Sequence, residues 1–325
     1  MRILLVRLSA LGDVVTGLHV LSALKARLPE AEVGWLVEDR FASLLAGHPQ
    51  LARVHAYPRR RAAGPLGWPK ALAFLAGVRR RRYDLALDLQ GNLKSGLLAR
   101  LSGARRVAGL GGAFAREGNA LFVRRRVPPP PGNRVEAYLA LLDAVVGPGA
   151  RPPALLPATP GERGLLALHP GTSPYGAHKR WPAERFAELG RRLVRRLAAP
   201  AVVTAGPGEE AEARGVAEAI GAPARWERPR DLRALADLLA GARLLVAADT
   251  GPAHVAAALG VPTLTLFGPK DPAVAAPVGP RARALAAGVR CSPCALRHCP
   301  DPACMDALSV DAVERAALAL LQGPP

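Results

Sequence analysis

Short apolar runs alternate with amphipathic stretches along the whole chain. Residues 2–8, RILLVRL, are almost continuously apolar and read as a buried strand, and residues 15–28 read as the helix that follows. Residues 32–38, EVGWLVE, and Leu85–Leu89 read as further strands, and Leu93–Leu101 as a helix. PPPPGN at 128–133 breaks the chain ahead of a helix over 134–146. Residues 147–163, GPGARPPALLPATPGER, carry no periodicity and are rich in Pro and Gly, which marks a linker. The layout then repeats. Strands are predicted at Gly164–His169, Ala201–Ala205, Arg243–Ala248 and Thr263–Phe267. Helices are predicted from Pro182, after Gly208, over Asp231–Ala240 and over Gly251–Leu259. Strands separated by helices form parallel βαβ units. The pattern therefore predicts an α/β protein of two doubly wound domains, residues 1–150 and 151–325, facing a central cleft. Ligands of such sheets sit beyond the carboxyl ends of strands, so the informative residues should follow strands.

Composition adds a charge asymmetry. The chain has 325 residues and a formal net charge of +18. Residues 1–150 hold 23 Lys and Arg against 10 Asp and Glu, whereas 151–325 hold 21 against 16. Within 51–126 the balance is 17 against 3, produced by Arg59–Arg61, Arg79–Arg82 and Arg124–Arg126. Such an excess serves solubility, or faces an anionic membrane surface, a phosphorylated acceptor or nucleic acid. Zinc-finger spacing and aromatic-rich RNA-binding strands are missing from the sequence, which argues against nucleic acid. There is no bilayer-length apolar run and no signal-peptide layout, so the expected location is cytoplasmic, with peripheral contact at the inner face of the membrane as an extension.

Several strand ends carry candidate chemistry. Asp249-Thr250-Gly251-Pro252-Ala253-His254 follows a strand and opens a helix, whose first turn offers unpaired N–H groups to a diphosphate. Gly251 permits close approach, Thr250 adds a hydroxyl, and His254 lies one turn on; simple capping by Asp249 or Thr250 is the competing reading. Thr172 and Ser173, with Lys179 after them, suit a pyrophosphate clamp, against an ordinary surface loop. Glu209 and Glu210 suit sugar hydroxyls, or cap the following helix. Cys291, Cys294, Cys299 and Cys304 cluster within 291–304; structural zinc, disulfides and free thiols all fit this spacing, and His298 reads as a bystander. Ser9-Ala10-Leu11-Gly12-Asp13 sits where many folds bind phosphate, yet Asp13 would repel one.

Four blocks in order resemble the heptosyltransferases of the lipopolysaccharide inner core, glycosyltransferase family 9: MRILLVRLSALGDVV, YDLALDLQGNLKSGLLARLSGA, HPGTSPYGAHKRWP and DTGPAHVAAALGVPTLTLFGPKDP. The resemblance implies a GT-B fold of two Rossmann-like domains. The first would bind the acceptor and the second the nucleotide sugar. Transfer would invert the sugar and need no catalytic metal or other cofactor. The implied donor is ADP-L-glycero-β-D-manno-heptose, and the implied acceptor a glycolipid or glycan of the cell envelope. Asp13 matches the family's general base and Lys179 its donor-phosphate lysine. Thr172, Ser173, Asp249, Thr250, Gly251 and His254 match the donor site, and the nucleotide is expected near Arg230 and Leu232. Ser9, Gly12, Gln90 and Lys94 fall in the acceptor-side blocks, where Gly12 is expected to turn the chain tightly. Arg7 stands where many relatives have lysine, and Ala10 where relatives often have serine. A donor other than ADP-heptose is the alternative within the class. A non-catalytic nucleotide-sugar or polyanion-binding protein is the alternative outside it, which the presence of both Asp13 and Lys179 disfavours.

Overall fold

The computed structural model describes residues 1–60, 67–294, 296 and 299–323. The chain forms two compact units, Met1–Pro157 and Ala158–Pro325. Unit 1 contains β1 (Arg2–Val6), α1 (Leu11–Arg27), β2 (Glu32–Glu38), α2 (Ala42–Leu45), β3 (Arg53–Tyr57), α3 (Trp68–Arg79), β4 (Leu85–Asp88), α4 (Leu93–Leu101), β5 (Arg106–Leu110), β6 (Arg125–Val127) and α5 (Arg134–Val146). Unit 2 contains β7 (Leu165–His169), α6 (Ala183–Leu197), β8 (Ala201–Thr204), α7 (Glu210–Ile220), β9 (Ala224–Glu227), α8 (Leu232–Ala240), β10 (Ala242–Ala248), α9 (Gly251–Ala258), β11 (Thr263–Phe267), α10 (Pro272–Ala275), β12 (Ala282–Ala286), α11 (Ala303–Asp306) and α12 (Val310–Gln322).

Each unit is built on a parallel six-stranded sheet, ordered β3-β2-β1-β4-β5-β6 in the first and β12-β11-β10-β7-β8-β9 in the second. Strand order reverses between β1 and β4, and again between β7 and β10. These are the topological switch points where doubly wound sheets open a crevice for ligands. Register brings Val6 opposite Asp88 and Ala247 opposite His169, so the two loops at each switch point leave the sheet side by side.

Central strands are apolar because helices cover both their faces. Leu4, Val6, Leu36 and Ala86 form one core with Tyr83 and Leu98. In unit 2, Leu166, Leu168, Val203 and Val246 pack with Trp181 and Phe186. Trp181 is fully buried, stacks edge-on against Phe186 at 4.9 Å and donates its indole N–H to the Leu308 carbonyl at 2.8 Å. That anchor lies two residues after Lys179 and fixes the end of its loop.

The outer strands β3, β6, β9 and β12 were not legible as apolar runs, because they are half-exposed. In β6 the exposed Arg125 and Arg126 charge the sheet edge, which discourages pairing with another sheet. Arg125 also donates to the Ala144 carbonyl at 2.7 Å, near the C-terminus of α5. Part of the arginine excess is therefore structural. Two expectations are corrected at the first strand end. β1 stops at Val6 rather than residue 8, and α1 begins at Leu11 rather than 15. Gly12 consequently lies in the first turn of α1 with helical backbone and makes no tight turn; its carbonyl accepts the Thr16 hydroxyl at 2.9 Å.

Asp88 organises the crevice of unit 1 from beneath. One carboxylate oxygen accepts the Gln90 and Gly91 amides at 3.0 and 3.1 Å, and the other accepts Ser95 Oγ at 3.0 Å and Asn119 Nδ2 at 2.7 Å. Burial pushes its carboxyl upward, and these four donors oppose the shift. Asp88→Asn puts an amide among four donors, and is expected to cost about 3 kcal/mol of stability, read by denaturant unfolding.

Candidate functional site

Asp13 is the third residue of α1, and its Oδ2 lies 3.4 Å from the Ala10 amide. A carboxylate there complements the helix dipole, so the fold gives it a local reason to exist. Its further partners are less usual. Arg7 Nη2 pairs with Oδ2 and Arg134 Nη1 pairs with Oδ1, the Asp13 side chain being only 16% exposed. Arg7 is buried, donates to the Leu89 carbonyl at 2.8 Å and lies 5.7 Å from the Tyr138 ring centroid. Gln90, also buried, accepts the Leu8 and Ser9 amides through Oε1 at 2.7 and 3.2 Å. Its oxygen thus holds the loop that delivers Asp13, while Ser9 is half-buried within it.

Lys94 is drawn into a second cluster at the end of β2. The buried Glu38 carboxylate receives Lys94 at 3.3 Å, Arg40 at 2.9 Å and Arg59 at 3.5 Å, and Lys94 sits 4.4 Å over the Tyr57 ring. Desolvation holds the Lys94 ammonium below its usual range. Three cations on one carboxylate leave a net positive surface.

Unit 2 brings the loop after β7 beside the loop after β10. Lys179 Nζ contacts Asp249 Oδ2 at 2.5 Å and the Asp249 carbonyl at 3.5 Å. Thr250 precedes α9 without capping it, and its hydroxyl turns back to the Ala248 carbonyl at 3.1 Å. The capping alternative for Thr250 therefore does not describe this helix. The first-turn amides of Gly251 and Ala253 have no intrahelical acceptor, and Pro252 between them has no N–H. His254 is half-buried one turn from Gly251. Thr172 is buried, and Arg180 donates through Nε to its hydroxyl and through Nη2 to its carbonyl, both at 3.0 Å; Ser173 is exposed.

The remaining candidates lie around β8 and β9. Glu209 folds inward, accepting the Gly206 amide at 2.7 Å and lying 3.6 Å from His169 Nε2. Its side chain fills the space a Cβ on Gly171 would need, which explains glycine there. Glu210 pairs with Arg228 at 2.7 Å. Arg230 is exposed, and Leu232 opens α8 just after the capping residue Asp231. His169 is buried beside Thr204 Oγ1 at 3.0 Å, and burial pushes it down to about 4, the Thr204 contact opposing. The folded protein thus disfavours the imidazolium. Unfolded chain takes up that proton below about pH 6.5, so stability is lost as pH falls from there towards 4. The loss from this group is expected to reach about 3 kcal/mol, and His169→Gln should flatten it in denaturant titrations at pH 7 and 4.5.

All four cysteines are free thiols, with Cys304 buried and its thiol pushed up, chiefly by desolvation and then by Cys291. Among the described residues, no group of three or more His, Cys, Asp or Glu is placed to hold a metal ion. His298 and Arg61 lie outside the described residues. Among the described residues, no helix is long and apolar enough to cross a membrane.

Sequence reasoning missed Arg134, Arg180, Glu38 and Asp88. Only Asp88 carried a local signal, a carboxylate ending an apolar strand before Gln-Gly. Arg134 acts through Asp13, 121 residues away, and Arg180 and Glu38 through loop contacts that carry no periodic pattern.

Residues 71–304 match the sequence model of glycosyltransferase family 9 (heptosyltransferase). The chain is 35% identical over 320 residues to lipopolysaccharide heptosyltransferase 1 of Pseudomonas aeruginosa, covering 92% of this chain and 87% of that protein. It is 29% identical over 296 residues to lipopolysaccharide heptosyltransferase 1 of Escherichia coli K12, covering 84% and 89%. The structure of E. coli heptosyltransferase WaaC with ADP superposes with a TM-score of 0.82 at 26% identity, covering 98% of this chain and 100% of that one.

Proposed function

Because the chain belongs to glycosyltransferase family 9, we propose that it transfers a heptosyl group from ADP-heptose to a lipopolysaccharide acceptor, with inversion and without a catalytic metal. The observation that carries this reading is the division of chemistry between the two switch points. One presents a carboxylate, Asp13. The other presents an ammonium, Lys179, paired with Asp249 two residues before the first turn of α9.

Unit 2 takes the donor. Lys179, the Gly251 and Ala253 amides and the Thr172–Ser173 loop stabilise the diphosphate, with Thr250 and His254 beside it. The exposed Arg230–Leu232 turn faces the nucleotide, while Asp249, Glu209 and Glu210 hold Lys179, the Gly206 amide and Arg228 in place around the donor. Unit 1 takes the acceptor, with Ser9 and Gln90 in the loop that carries Asp13 and Lys94 in the separate Glu38 cluster. The acceptor oxygen attacks the anomeric carbon as its proton passes to Asp13. The bond from that carbon to the phosphate oxygen breaks, and ADP leaves with the electron pair. Lys179 and the α9 amides meet the growing negative charge, the task a metal would otherwise perform. The net charge of the Glu38 cluster and the exposed arginines of 79–82 and 124–126 suit an anionic, membrane-borne acceptor, reached from the cytoplasmic face.

A thermal-shift screen of nucleotide sugars tests the donor assignment, because a ligand of the folded state alone raises Tm. ADP-heptose is expected to raise it most. A larger rise with a UDP- or GDP-sugar, and none with ADP-heptose, would assign a different donor.

A further inference from the structure

We propose that Arg134 is a positioning residue whose guanidinium occupies the Asp13 carboxylate in the unliganded protein and passes to an anionic group of the incoming acceptor, so that Asp13 is released as a base only when the acceptor is in place. This rests on the reading of Asp13 as the general base.

The two guanidiniums on Asp13 are not equivalent. Arg7 is 7% exposed in its side chain, ends the first strand region and is tied to Leu89 and Tyr138. It is a fixed wall of the crevice. Arg134 is 39% exposed and lies at the first position of α5, after four prolines and Gly132 with φ of 114°. A cation at a helix N-terminus opposes the dipole, so α5 gains nothing from Arg134 there. Asn133 already supplies the cap, accepting the Val135 amide at 3.0 Å. The Arg134 guanidinium instead reaches Asp13, 121 residues away in sequence.

The pairing conflicts with catalysis if it persists. Arg7, just after β1, and Arg134, from α5, pair with the carboxylate, and Asp13, Asp88 and both arginines act on the buried Tyr138 hydroxyl of α5. Two guanidiniums favour the anion and oppose the protonation a base must undergo. An acceptor hydroxyl also needs a free oxygen lone pair. Oδ1 is the oxygen whose partner is solvent-exposed, and so the one it can reach. An arginine displaced from Oδ1 presents a fork suited to a carboxylate or phosphate on the acceptor. One contact is exchanged for another of the same kind, and acceptor binding is thereby coupled to release of the base.

The test is the pH dependence of kcat and of kcat/KM for acceptor, at saturating donor, in wild type, Arg134→Gln and Arg134→Lys. The kcat/KM profile reports the free enzyme and the kcat profile the bound complex. In Arg134→Gln, KM for acceptor is expected to rise about tenfold or more. The acid limb of its kcat/KM profile is expected to move up by about one pH unit, while the acid limb of kcat stays in place. Arg134→Lys should keep both limbs near wild type with an intermediate KM. Equal movement of both limbs would overturn the proposal, because Arg134 would then remain on Asp13 through the reaction. Unmoved limbs would overturn it too, whether or not KM changes. Wild-type transfer that is lost in Asp13→Asn would uphold the base assignment regardless of what Arg134 does, so the two readings fail separately.

Discussion

Asp13→Asn is expected to lower kcat by about 10²–10⁴-fold, the usual contribution of a positioned base, while donor affinity changes less than about twofold. The asymmetry follows from placement. Asp13 belongs to the switch point of unit 1, whereas the groups suited to a diphosphate belong to unit 2. The substitution also leaves Arg7 and Arg134 facing a neutral amide. Arg7 is deeply buried, so unit 1 should lose stability, by about 3 kcal/mol. Circular dichroism and a donor titration on the same preparation separate the effects. A variant that binds donor, is folded at the assay temperature and does not turn over assigns Asp13 to the chemistry. Full turnover would remove it.

Lys179→Ala is expected to weaken donor binding by about 10–100-fold, the cost of one charge-assisted contact to phosphate, and to lower kcat as well. Part of the weakening has a second source. Lys179 neutralises Asp249 at 2.5 Å, and its removal leaves a bare carboxylate at the proposed diphosphate site. The double variant Lys179→Ala/Asp249→Asn should therefore recover part of the donor affinity but little of kcat, because the leaving-group charge is still unmet. Isothermal titration with ADP and steady-state kinetics read the two quantities. Unchanged values in the single variant would remove Lys179 from the donor site.

The two α/β halves were legible because their central strands are short apolar runs punctuated by helices, as in residues 85–89 and 243–248. β3, RVHAY, was not legible: as an edge strand it is half-exposed and carries Arg53 and His55 among its apolar residues. The placement of Asp13, Lys179 and Thr250 after strands was legible, and the structure sets them after β1, β7 and β10. Their partners were not legible. Arg134 lies 121 residues from Asp13 and Asp249 lies 70 from Lys179, and no local pattern encodes such pairs. Gly12 misled for a physical reason. Glycine after a strand is read as a turn, but here the turn comes earlier and the glycine sits inside the helix, beside a carboxylate that favours the helix N-terminus.

Inverting heptosyl transfer is read from the anomeric configuration of the product. The protein is incubated with β-configured ADP-heptose and lipopolysaccharide from cells that add no heptose, and the product is examined by mass spectrometry and by NMR of the new anomeric proton. One added heptose is expected, joined in the α configuration, with ADP released in equal amount and no dependence on added divalent metal. Retention of the β configuration, or ADP release with no sugar on the acceptor, would contradict inverting heptosyl transfer.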